Sequence, residues 1–142
     1  MFFMRFLGCV TGGFIIKILI AKFTTQFLTI GINILIFVVL NMANISLSKY
    51  WLGLIIFIAS MAFIGMTVIV YGLLFKLFQS NAADKMQIMA FMFGVGAMIG
   101  PLFVILFKIR TFQILGISHL ISIVIFWYYP LPDLDKSSNN SE

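Results

Sequence analysis

The side chains able to do chemistry are few, and their positions exclude most of it. The 142-residue chain holds one histidine, His119, one cysteine, Cys9, and four acidic residues. Of the acids, Asp133, Asp135 and Glu142 crowd the C-terminal end and only Asp84 lies elsewhere. A metal centre needs several His, Cys or carboxylate ligands brought together, and nucleophilic catalysis needs a nucleophile, a base and an orienting group. Neither set can be assembled from this inventory, so the sequence reads as no enzyme, with no metal and no cofactor. His119 could relay protons through its ring, but a hydrogen-bonded structural role is the plainer reading. Cys9 can form no intrachain disulfide and reads as a small packed thiol. The other polar side chains inside apolar runs are amides: Gln87, Gln113, and the pair Asn33 and Asn41. The last two are eight residues apart, which puts them on roughly one face of a helix.

The elements that carry these residues are set by apolar length. Composition is 63% hydrophobic and 9% charged, with 17 Phe and a mean hydropathy of +1.18. A soluble domain of this size cannot hide so much apolar surface. Roughly 20 consecutive apolar residues cross a bilayer as a helix, and several such runs stand back to back. The sequence therefore predicts an all-α, multi-pass transmembrane bundle of about five helices, with spans near 2–21, 27–45, 50–78, 86–107 and 112–129. Arg5 before an apolar stretch mimics a secretory signal, but the run outlasts such a signal and further spans follow. Gln79 to Lys85 reads as the longest internal loop, Ser46 to Lys49 and Lys108 to Thr111 as turns, and 131–142 as a polar, disordered tail. The third span is long enough to imply tilt or a protruding end. Membrane β-strands would alternate apolar and polar residues; Ile32 to Leu40 and Leu52 to Ala59 do not.

The net charge of +5 suggests nucleic acid only at first sight. The nine Lys and Arg are scattered to positions where helices meet headgroups, so the implied partner is the lipid bilayer and not a nucleic acid. Five spans put Arg5, Lys49, Lys108 and Arg110 on one side and Lys17, Lys22, Lys76, Lys85 and Lys136 on the other. That split is too even to orient the chain, and it leaves open which membrane hosts it. No acidic residue lies within a span, so an intramembrane carboxylate for proton or sodium coupling is missing.

Glycine spacing supplies the sharpest local pattern. In Phe93-Gly94-Val95-Gly96-Ala97-Met98-Ile99-Gly100-Pro101, Gly96 and Gly100 stack on one face and invite a close neighbouring backbone, while Pro101 frees the Ala97 carbonyl and can kink the helix. Gly8 and Gly12, with Gly13, form a second notch, and Gly65 and Gly72 a third packing face.

In order and spacing these features resemble the amino-terminal half of the major facilitator superfamily, helices two to six. They look most like the branch of sodium-dependent glucose transporter-like and fucose-permease-like carriers. Phe6 to Ile15 is similar to its glycine-rich second helix, Ala62 to Thr67 to its small-residue fourth, and Gln87 with Phe93 to Pro101 to its fifth. The resemblance implies a carrier of a small polar solute such as a sugar, with Gln87 as solute contact and Asn33 and Asn41 in support. Gly8, Gly12, Gly94, Gly96, Gly100 and Pro101 become its packing or hinge elements. The departures are large: the family's first helix and second half are absent, as is the acidic–arginine pair after helix two. Val68, Ile69 and Val70 stand where the branch carries polar residues. Alternating access uses two bundles around a midplane site, so the expected partner is a second transporter half or another copy of the chain. The alternative is a non-transporting membrane protein, or a degenerate transporter fragment, that packs against other helices.

Overall fold

The computed structural model describes residues 2–43, 48–107 and 110–134. Over these the protein is all-helical, with no strand. Five α-helices follow in order: α1 Phe2–Ile20, α2 Thr25–Ala43, α3 Lys49–Phe78, α4 Ala82–Phe107 and α5 Arg110–Tyr128. Three stretches are long and apolar enough to cross a membrane: Phe2–Ile20, Thr25–Met42 and the run Tyr50–Phe107 that holds α3 and α4. A fourth, Gln113–Tyr128, is apolar but shorter.

Local chemistry sets the helix ends. α1 closes where the Lys22 and Phe23 amides both donate to the Leu19 carbonyl (3.0 and 2.9 Å), and α2 opens as the Leu28 amide donates to the Thr24 carbonyl (3.1 Å). Ser48 caps α3, its hydroxyl accepting from the Trp51 amide at 3.3 Å. Pro130, which has no amide hydrogen to continue a helix, follows the end of α5. The largest boundary shift is the start of α4, at Ala82 instead of Met86, while α2 and α5 each open two residues earlier than expected. Ala82 and Ala83 are strong helix formers, and Asp84 in the first turn complements the helix dipole. The expected loop thus shrinks to a 3-10 turn, Gln79–Asn81, with Gln79 at a positive φ of 38°. The Lys85 ammonium braces it, 5.5 Å from the centre of the Phe78 ring. The turns expected at 46–47 and 108–109 lie outside the described residues.

α1 and α3 run parallel and interlock at intervals of four residues. Met4 faces Gly53, Gly8 faces Phe57, Gly12 faces Met61, and Ile16 faces Gly65. At each level a glycine on one helix accepts bulk from the other, which is how four-residue glycine spacing brings backbones together. α2 packs between α3 and α5, and α4 touches α3 and α5 only lightly. The apolar core is Ile16, Leu28, Ile69 and Leu73, with Ile69 fully buried. Within the apolar run Val68 to Val70, Ile69 fills the junction of α1, α2 and α3, while Val68 is exposed.

The tail begins later than its composition suggests. Leu131 and Leu134 pack against the core, and Leu134 lies over Gly72. The Thr25 amide donates to Asp133 Oδ1 (3.2 Å), and the Leu134 amide to Thr25 Oγ1 (2.9 Å). The Lys76 ammonium donates to the Asp133 carbonyl. Residues 131–134 are therefore a clamp over the start of α2, held by two leucines that the polar character of the segment conceals. An acidic group at a helix N-terminus adds a favourable dipole interaction. Changing Asp133 and Leu134 together to Ala is expected to lower local stability by about 1–2 kcal/mol. Hydrogen exchange should then quicken at the Thr25 amide while mid-helix amides stay protected; unchanged protection at Thr25 would remove the clamp from the fold.

Candidate functional site

Polar groups inside this bundle form a column on α2. Thr25, Thr29 and Asn33 recur every four residues, so they stack on one helix face, and each is at most 2% exposed. The fold satisfies them in sequence. Thr29 Oγ1 donates to the Thr25 carbonyl (2.8 Å), and Asn33 Nδ2 donates to the Thr29 carbonyl (2.8 Å). Asn33 Oδ1 then lies 2.8 Å from His119 Nδ1 on α5. An amide oxygen can only accept, so this pattern assigns the proton to His119 Nδ1. Nε2 is left as the ring's second nitrogen, with no hydrogen-bond partner among the described residues.

The helices that meet here are antiparallel, and other contacts hold their register. Gln26 Nε2 donates to the Phe126 carbonyl at 3.1 Å. Further along, the Asn41 amide and the Phe37 ring crowd Gly116, where an added Cβ would lie 3.1 Å from Asn41 Nδ2. Asn41 Nδ2 donates to its own Phe37 carbonyl (2.8 Å). Asn33 and Asn41 thus share the α5-facing side of α2, as their spacing predicts.

Comparison with known protein families, curated proteins and solved structures gives no match.

The other sequence candidates separate from this column. Gln87 is exposed near the start of α4, away from Asn33 and Asn41, and Gln113 is exposed on α5. Gly8 and Gly12 are buried against α3, but no neighbouring side chain or distant backbone approaches within 4 Å of a Cβ built at Gly94, Gly96 or Gly100. α4 runs helical through Pro101. Among the described residues no three His, Cys, Asp or Glu side chains group to hold a metal. Sequence reasoning passed over Thr25 and Thr29, although the four-residue polar repeat they share with Asn33 is legible. The joining of His119 to that repeat is not, since the two lie 86 residues apart.

Chemically the column is a chain of neutral donors and acceptors that ends at an imidazole. It can orient a hydroxyl-bearing solute at His119 Nε2 or pass a hydrogen bond from α5 to α2. It offers no fixed charge.

Proposed function

We propose that the protein is an integral, multi-pass membrane protein related to transporters. It serves as one helical bundle of a secondary carrier for a small polar solute such as a sugar, completed by a second half or by another copy of itself. The Asn33–His119 contact carries this reading. Asn33 stands eight residues from the start of α2 and ten from its end, and His119 nine from either end of α5. Both are therefore roughly 12–15 Å along apolar helices, close to the midplane of a bilayer about 30 Å thick. Polar residues at that depth are costly and mark solute or proton paths, and secondary carriers bind their solute there. The exterior agrees: Phe14, Phe27, Phe91, Met98 and Trp127 are all more than 60% exposed, an outer surface suited to lipid and not to water.

Reconstituted into proteoliposomes, the chain is expected to take up labelled glucose or fucose above protein-free vesicles, and His119→Leu to lose that uptake. Vesicles carrying folded protein that admit neither sugar would sink the carrier reading.

A second reading is favoured by one observation, the bare glycine face of α4. Here the protein transports nothing and packs against other helices through Gly96 and Gly100. Gly96→Leu should then leave the bundle folded, because nothing stands near the site, while reducing cross-linking to neighbouring helices. Unaltered cross-linking would dispose of this reading.

A further inference from the structure

We infer that the cleft between α1 and α3 at the Arg5 end of the bundle is a site for an anionic membrane phospholipid, with its phosphate on Arg5 and the upper part of an acyl chain in the cleft. The inference rests on the membrane location proposed above and not on transport.

The cleft has a volume of about 460 Å³ and is walled by Phe2, Arg5 and Cys9 of α1 and by Ala59, Ser60 and Phe63 of α3. That volume is within the range of small-molecule sites, ~300–1,000 Å³. Its walls have a definite cause. The Gly8 and Gly12 contacts draw α1 and α3 together, and Phe2, Arg5 and Cys9 stand on one face beside that seam. Phe63 is held from behind by Phe93 of α4, their rings edge to face at 5.4 Å between centres and 82° between planes. The wall is thus a braced aromatic and not a loose side chain. Ser60 spends its hydroxyl on the Ile56 carbonyl at 2.7 Å, so the interior of the cleft offers mainly apolar surface.

Arg5 supplies the charge. It is exposed at the first turn of α1, and no hydrogen bond or ion pair to it occurs among the described residues. Among the described residues no acidic side chain lies at this end to answer it. Among the described residues the helix ends here carry Arg5 and Arg110, whereas Asp84 and Asp133 lie at the opposite end. A guanidinium fork matches phosphate oxygens two at a time, and it stands at the depth where headgroups lie while the cleft runs inward from it. From Phe2 to Cys9 along α1 is roughly 10 Å, enough for the glycerol region and the first part of a chain. An anion with an attached acyl chain satisfies both halves of the site, and neither inorganic phosphate nor a neutral lipid does.

Cys9, the only cysteine in the chain, reports on occupancy. The full chain would be reconstituted in vesicles of phosphatidylcholine with or without phosphatidylglycerol, its insertion verified by flotation, and Cys9 alkylated with N-ethylmaleimide. Phosphatidylglycerol is expected to slow alkylation roughly tenfold, and Arg5→Gln to abolish the difference. Ala59→Phe, which fills the cleft and leaves Arg5 in place, should abolish retention of phosphatidylglycerol read by native mass spectrometry. Equal alkylation rates in the two lipids would overturn the inference. So would protection that persists in Arg5→Gln, or protection by inorganic phosphate in detergent. A chain that does not float with vesicles overturns the membrane reading and this one together; a chain that floats without lipid preference overturns only this one.

Discussion

Gly12→Leu is expected to remove a large share of the folded bundle's stability, whereas Gly13→Leu, one residue along the same helix, leaves it intact. A Cβ at Gly12 would lie 2.6 Å from the Met61 carbonyl oxygen and 2.8 Å from the Met61 Cα. Both are backbone atoms of α3 and cannot swing aside as a side-chain tip can. At Gly13 nothing comes within 4 Å. Overpacking a close-packed site typically costs about 1–3 kcal/mol when side chains can shift, and here whole helices must part. Gly8 gives the same geometry one turn earlier, where a Cβ would meet the Phe57 carbonyl oxygen. The loss should therefore reach the upper end of that range or beyond, a large share of a marginal stability of about 5–15 kcal/mol. Size-exclusion profiles and thermal melts of the purified variants check it. A Gly12→Leu protein that melts with the parent would mean that α1 does not seat on α3 through this face.

The second large effect is expected at the polar contact between α2 and α5. His119→Leu leaves Asn33 Oδ1 without a donor in apolar surroundings, and Asn33→Leu strands the proton on His119 Nδ1. Each change should cost about 1–2 kcal/mol. The pair removed together should cost less than the sum, with a coupling of about 0.6 kcal/mol and at most about 1.7, the average and the maximum for hydrogen bonds between membrane helices. His119→Asn separates structure from function. Its Nδ2 occupies much the same place as the imidazole Nδ1, so it should restore the hydrogen bond and the stability. It carries no equivalent of Nε2, so under the carrier reading it should not restore uptake. Strictly additive single changes would show that the two side chains do not meet in the folded protein. Full uptake by His119→Asn would take Nε2 out of the solute path.

Much of the fold was legible in the sequence because it depends on apolar length. Helix ends fall where Ser48, Pro130 and the turn after Ile20 interrupt the runs, and those interruptions are local. The start of α4 was misplaced for the opposite reason: Ala82 and Asp84 look like loop residues in a polar stretch yet suit a first helical turn. Leu131 and Leu134 were hidden in the same way, since two leucines among polar neighbours show their role only when a core lies within reach.

The candidate site divides more unevenly. Two patterns with the same four-residue glycine spacing stood in the chain, one at Gly8 and Gly12 and one at Gly96 and Gly100. Spacing says that a neighbouring backbone can approach and nothing about whether one does. In the structure the first pair meets α3, and the second faces open space. Likewise Gln87 stood ahead of Asn33 and Asn41 as a solute contact, but only Asn33 finds an imidazole. What the sequence by itself determined is the number, length and apolar character of the helices, because a helix satisfies its own backbone and needs no partner to declare itself. Only the tertiary structure decided which glycines are seams, which amide meets His119, and that Asp133 closes the start of α2. Each of those contacts joins residues far apart in the chain, and nothing local to either partner specifies the other.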